Sequence, residues 1–192
     1  MKILRIAVVG AECTGKSHLC QQLAQDLPAI TFEEPLRRWV REHGKPPAAN
    51  EQIQLIQWQQ HAETQALGQA MDQGLNVVLC DSAPLVTAVY SELYYQDTTL
   101  YAWAQQHHKQ YDLTLWCQPD IPWQPDPGMR DGETYRQQTH NLLHAWLQNS
   151  HSEEKLNHEP SVSWGCVAKV RGLGLARVQQ AKHVIDQITR QL

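Results

Sequence analysis

The sequence predicts an α/β fold, a mainly parallel five-stranded sheet with helices on both faces. Three observations carry that expectation. Short β-rich runs alternate with helix-like segments, the pattern that buries parallel strands between two helical layers. The first apolar run leads directly into Gly10-Ala11-Glu12-Cys13-Thr14-Gly15-Lys16-Ser17, which matches G-x-x-x-x-G-K-[ST]. Another apolar run, Asn76 to Cys80, delivers Asp81 to the carboxyl end of a strand. At 192 residues the chain predicts one domain over 1–192, long enough to bury a core without covalent staples.

Each element has its own signal. Leu4 to Val9 (LRIAVV) reads as the first strand and ends at Gly10. His18 to Leu27 carries Leu19, Leu23 and Leu27 four apart, a helix stopped by Pro28. Ile30 to Glu33 is a weak strand, and Pro35 opens a helix to about His43, since proline suits a first helical turn. Asn50 to Gln73 predicts a long Gln-rich helix with Asn50 as N-cap and Ile53, Ile56, Ala62 and Leu67 roughly marking its apolar face. By that pattern Gln59 faces solvent. Asn76 to Cys80, Asp112 to Cys117 and Ser161 to Val170 supply the remaining strands. A last helix over Leu175 to Leu192 aligns Val178, Ala181, Ile185 and Ile188. Two stretches fit neither period. Gln118 to Gly132, rich in Pro and Asp, predicts an irregular segment within a lid over about 118–139, and Gln148 to Pro160 predicts a mobile polar loop.

Composition narrows the function. Sixteen Lys+Arg against twenty Asp+Glu give a net charge of −4, which disfavours a nucleic-acid binder needing a clustered cationic face. Mean hydropathy is −0.52, and no apolar run nears the ~20 residues that span a bilayer. The short strand-like N-terminus does not read as a signal peptide, so the expected address is the cytoplasm, with no membrane partner. Five cysteines without a CxxC pair argue against a disulfide framework or structural zinc. His140 and His144 stand four apart but lack the Glu of HExxH and a third ligand, while His107 and His108 read as surface. Seven Trp and six Tyr against one Phe suggest interface, pocket or core without choosing among them.

The chemistry lies in the glycine-rich loop. Its glycines allow backbone amides to turn inward as an anion nest, and the following helix adds its positive end. Lys16 is the residue to reach the β- and γ-phosphates of ATP, and the Ser17 hydroxyl is a ligand for Mg²⁺. Asp81, at a strand end, is either a second Mg²⁺ partner or the acceptor of a proton from an attacking hydroxyl. The alternative for Asp81 is a helix N-cap, which Asp81-Ser-Ala-Pro would suit.

With loop and acid in place, the chain resembles the NadR-type nicotinamide riboside kinase domain and its wider AAA-like ATPase/kinase relatives. The similarity runs from Ile6 to about Leu147. Four features carry it: Glu12 within the loop, Glu34-Pro-Leu-Arg37 after the second strand, Gln59 in the long helix, and Trp123 followed by Asp126-Pro-Gly-Met-Arg130. The Trp123–Arg130 spacing is one residue longer than the family's, and Pro127 replaces a polar residue. The resemblance implies an ATP- and Mg²⁺-dependent small-molecule kinase acting on the 5′-hydroxyl of a nucleoside, nicotinamide riboside first; the alternatives are another nucleoside, a nucleotide or a polyol as acceptor, or a P-loop ATPase acting as a nucleotide-dependent regulatory switch. The resemblance places Glu34, Arg37, Gln59, Trp123 and Asp126 at the acceptor and Arg130 over the γ-phosphate. Residue chemistry is compatible with those roles. Glu34 is able to accept hydrogen bonds from ribose hydroxyls; Arg37 either orients it, reaches a phosphate or makes an ordinary i,i+3 pair. Trp123 either stacks on a flat ring or pins the lid. Arg136 is a second, poorer candidate for the lid arginine. Gly172, Gly174 and Arg177, after the last strand, are weaker candidates for the adenine; a helix-entry turn explains them equally well. No HxGH nucleotidyltransferase signature occurs, so a kinase without that second activity is expected.

Overall fold

The structure, a computed structural model, describes residues 2–124, 132–152 and 165–190. Five strands form one parallel sheet: β1 (Leu4–Val9), β2 (Ala29–Thr31), β3 (Val77–Asp81), β4 (Leu113–Cys117) and β5 (Cys166–Val170), in the spatial order β2-β3-β1-β4-β5. The expected fold class is the one observed. Strand alternation divides the core. Leu4, Ile6 and Val8 pack with α1 (Lys16–Asp26) and α7 (Gly174–Thr189) on one face, whereas Ala7 and Val9 pack with α3 (Gln52–Gln73), α4 (Pro84–Tyr95), α5 (Tyr101–His108) and α6 (Glu133–Ser152) on the other. Parallel register brings the carboxyl ends of β1, β3 and β4 together, Val8 beside Asp81 and Val9 beside Trp116. That edge is where such sheets receive ligands. Among the described residues no helix is long and apolar enough to cross a membrane.

Several expectations change. Asn50 is not a cap. It lies in a 3₁₀ turn, Ala49–Glu51, where the Glu51 carboxylate accepts from the Ala48 amide at 2.7 Å. The helix over 35–43, here α2 (Pro35–His43), is as expected, with Gly44 ending it in the left-handed region. Residues 84–108, to which the sequence pattern assigns no element, contain α4 and α5. Helix α4 buries Leu85, Val86, Ala88 and Val89, so it lacks the polar stripe that would have revealed a helical period. The expected lid ends in helix, since 133–139 belong to α6; so do 148–152, expected as loop, while 153–160 lie outside the described residues.

His107 and His108 are buried, not surface residues. His107 Nε2 lies 2.8 Å from Glu63 Oε2 and His108 Nε2 lies 2.9 Å from the Thr114 hydroxyl. Burial drives the His108 pKa down to about 3, so the ring stays neutral. Gln59 is also buried, at 2% exposure, and Gln52 at 5% donates to the Pro47 carbonyl. The Gln-rich helix therefore turns two of its amides inward, through polar partners that no apolar periodicity reports.

Candidate active site

The loop between β1 and α1 folds as its sequence demands. A Cβ on Gly10 would meet the Thr14 hydroxyl at 2.7 Å and the Cys117 carbonyl at 2.8 Å, so only glycine fits. Gly15 takes φ +76° immediately before the helix. Cys13 (φ 51°) and Ser82 (φ 79°) hold left-handed conformations without being glycine, so two of the three such residues among those described flank this site. Lys16 is buried, and its ammonium donates to the Ala11 carbonyl at 3.0 Å; Thr14 Oγ1 donates to the same carbonyl at 2.8 Å.

Asp81 ends β3 beside this loop at 4% exposure, and its Oδ1 has no hydrogen-bond partner among the described residues. Burial first, and then the nearby charge of Glu34, push its carboxyl up to about 6; Ser17, Lys16 and Arg37 pull the other way. A buried carboxylate oxygen without a donor is costly in isolation and suits a cation or a hydroxyl brought by a ligand. Asp81 is not a helix cap, since Ala83 holds the N-cap position of α4.

Next to the loop lies a cavity of about 460 Å³, within the usual range for small-molecule sites. Its lining includes Glu12, Glu34 and Ser82 together with Gln59, Leu55, Val86 and the tyrosines 90, 94, 95 and 135. Among the described lining residues none is Lys or Arg. The tyrosine excess in the composition is thus partly a pocket feature, with Tyr94 and Tyr135 stacked at 5.2 Å between centroids. Sequence reasoning found Glu12, Glu34 and Gln59 but missed the tyrosines. Tyr90 and Tyr94, one helical turn apart in α4, were the available signal.

Other expected residues stand elsewhere. Arg37 is exposed and does not line the cavity, although its charge acts on Asp81. Trp123 does not line it either; its indole Nε1 is buried and has no partner among the described residues. The segment carrying Trp123 is held to the loop by Cys13, whose thiol lies 3.6 Å from the Pro122 carbonyl and accepts from the Gln124 amide at 3.3 Å. Asp126 and Arg130 lie outside the described residues. Arg136 is buried, with one guanidinium nitrogen donating to the Ile121 carbonyl at 2.8 Å.

Arg177 is committed differently from the adenine contact expected. Its guanidinium donates to the carbonyls of Thr14, Gln118 (3.1 Å) and Gly172 (2.8 Å) and pairs with Asp120. Asp120 also accepts from the Gly172 amide at 2.8 Å. This one side chain therefore ties the phosphate loop to the segments after β4 and β5. Arg177→Met is expected to lower stability by about 2–3 kcal/mol and to weaken ATP binding as well. Urea unfolding and ATP titration check both, and Arg177→Lys, with no planar fork, should recover little.

Loop, strand-end acid and sheet order together define an α/β P-loop protein with a kinase-like fold. The chain belongs to the AAA domain family, whose model matches residues 5–159. It is similar in structure to the NadR protein in complex with NR, with a TM-score of 0.74 and 22% identity over 97% of this chain and 50% of that one. It is also similar to deoxyadenosine kinase from M. mycoides with bound dATP (TM-score 0.60, 13% identity, 95% and 99% covered). Thymidylate kinase from Ehrlichia chaffeensis gives a TM-score of 0.63 at 13% identity, with 96% and 100% covered. No curated protein sequence matches the chain. The chain spans about half the length of the NadR chain, and the NadR-type fold expected from the motifs is the fold observed.

Proposed function

We propose that the chain is an ATP- and Mg²⁺-dependent small-molecule kinase that moves the γ-phosphoryl group of ATP to the 5′-hydroxyl of a nucleoside, with nicotinamide riboside as acceptor. The carrying observation is the cavity beside the phosphate loop, with two carboxylates and four tyrosines in its lining and no cation among its described lining residues. A phosphorylated acceptor would be repelled there. Ribose hydroxyls donate well to Glu34, and a flat cationic ring gains from tyrosine faces and nearby negative charge. Likeness to a NadR structure holding NR and to a deoxyadenosine kinase agrees with a nucleoside, while the likeness to a thymidylate kinase leaves the choice against a nucleotide to the cavity. A nucleotide-dependent switch would need no acceptor cavity at all.

In this reading the amides of residues 10–17 and the N-terminus of α1 hold the β- and γ-phosphates, and Lys16 leaves the Ala11 carbonyl to pair with them. The residues present fit Mg²⁺: the partnerless Asp81 Oδ1 and the Ser17 hydroxyl form an oxygen donor set. Ser17 and Asp81 would hold the ion, which when bound neutralises charge on the β- and γ-oxygens. Glu34 orients the sugar. The acceptor oxygen bonds to the γ-phosphorus as the bond to the β–γ bridging oxygen breaks, and ADP leaves. The hydroxyl proton passes to a carboxylate, Asp81 or Glu34. The NadR-type resemblance assigns Arg130 to the transferred group, Trp123 and Asp126 to the acceptor and Gly172 to the adenine; Asp126 and Arg130 lie outside the described residues, and Trp123 does not line the cavity.

ADP release measured with a nucleoside panel tests the reading. Turnover with nicotinamide riboside, at least ~10²-fold above acceptor-free hydrolysis, is expected. Acceptor-independent hydrolysis would sink the kinase; turnover with thymidylate alone would sink the nucleoside.

A further inference from the structure

Behind the cavity wall, and not lining it, lies Glu63 on α3 at 0% exposure. Its Oε2 accepts from Arg5 Nη2 at 2.5 Å and His107 Nε2 at 2.8 Å; its Oε1 accepts from the Tyr111 hydroxyl at 2.6 Å and Gln59 Nε2 at 2.8 Å. The Gln60 amide approaches His107 Nδ1 at 3.2 Å, which leaves the ring proton on Nε2 to face Glu63. Burial pushes the Glu63 carboxyl up, but the bonds from His107, Tyr111 and Gln59 outweigh it and hold it below the usual carboxylate range. A buried ionic cluster of this kind seldom improves on apolar packing, so it invites a reason beyond stability.

Gln59 supplies one. Its amide nitrogen donates to Glu63 and also to the Ser82 carbonyl at 3.2 Å. Carboxylate and carbonyl are both pure acceptors, so the amide cannot be turned the other way without losing two bonds. The Gln59 carbonyl oxygen is thereby left to the cavity that the residue lines. Ser82, fixed at φ 79° beside Asp81, makes the second anchor part of the strained strand end.

We propose that Glu63 is a positioning residue that locks the Gln59 amide with its oxygen toward the cavity, so that the site selects acceptors presenting an N–H donor there. A carboxamide or exocyclic amine meets that oxygen with a donor. A carboxylate or ring carbonyl at the same place meets it oxygen to oxygen. The inference rests on the acceptor-cavity reading above and adds the edge by which the acceptor is chosen.

The test compares kcat/KM for nicotinamide riboside and nicotinic acid riboside. The unaltered protein should favour the carboxamide by about 10²-fold or more. In Glu63→Gln, whose own amide can satisfy either orientation of Gln59, that preference should fall at least tenfold through acceptor KM while ATP KM holds. Tyr111→Phe removes a donor from Glu63 and leaves Gln59 its partners. It should lower Tm yet keep the preference within twofold. An unchanged preference in Glu63→Gln, or an equal collapse in Tyr111→Phe, overturns the proposal. If Glu63→Gln does not fold, Glu63→Asp carries the same test, keeping the charge but withdrawing it from Gln59. If neither riboside is a substrate, the acceptor reading fails separately, and adenosine against inosine or cytidine against uridine replaces the pair. Independently of any acceptor, the Gln59 side-chain NH₂ protons should exchange slowly by NMR and much faster in Glu63→Gln; equal rates also overturn it.

Discussion

Lys16→Ala is expected to reduce phosphoryl transfer by at least ~10³-fold with little change in fold stability. The ammonium stands at the first turn of α1, held against the loop's own Ala11 carbonyl, where it is the loop's mobile positive charge. Alanine is a good helix former at that position, so the lost charge is separated from any lost structure. Single-turnover assays with saturating acceptor, beside urea unfolding, give the two numbers. Near-normal turnover in the variant would remove the loop from the chemistry; a large loss of stability would make the kinetic loss uninformative.

Asp81→Asn is expected to act in opposite directions on activity and stability. Turnover should fall by about 10²–10⁴-fold, whichever of its two roles the carboxylate fills. The ligand-free protein should become more stable at pH 8, by on the order of 1–3 kcal/mol. The sign follows from the raised pKa. Burial and Glu34 lift this carboxyl from 3.8 to about 6, so folding favours its neutral form. Its contribution to stability is complete below the unfolded value and is lost as pH rises through about 6. At pH 8 the unaltered protein carries the full cost of a buried charge, and asparagine does not. Unfolding curves at pH 5 and pH 8 should therefore show the gap between the two proteins widening with pH. A variant that is less stable at both values would contradict this, as would one that keeps its turnover. Such a cost is expected where a site is arranged for a ligand rather than for the empty chain.

The sequence made the phosphate half of the site legible and much of the acceptor half not. Gly10 to Ser17 is contiguous, so its chemistry survives being read as a string, and Asp81 is marked by the strand that carries it. The cavity draws on Glu34, Gln59, Tyr90 and Tyr135, which lie on separate elements and share no local period. Helix α4 escaped notice because it is apolar over much of its surface. His107 and His108 looked like surface residues because the partner that keeps His107 inside, Glu63, is 44 positions away. Arg177 was noticed for its glycine neighbours, yet its role is set largely by the distant carbonyls of Thr14 and Gln118. For His107 and Arg177 the missing information was a polar bond across long sequence separation, which hydrophobic spacing does not encode.

The contact from Arg177 to the Thr14 carbonyl spans 163 positions and joins the start of α7 to the glycine loop before α1. Bringing such distant positions together costs conformational entropy that a local contact does not. Only with α7 packed on the sheet do Thr14 and Gln118 share one guanidinium. The shape of the glycine loop is therefore a property of the assembled sheet and not of the loop's own residues alone.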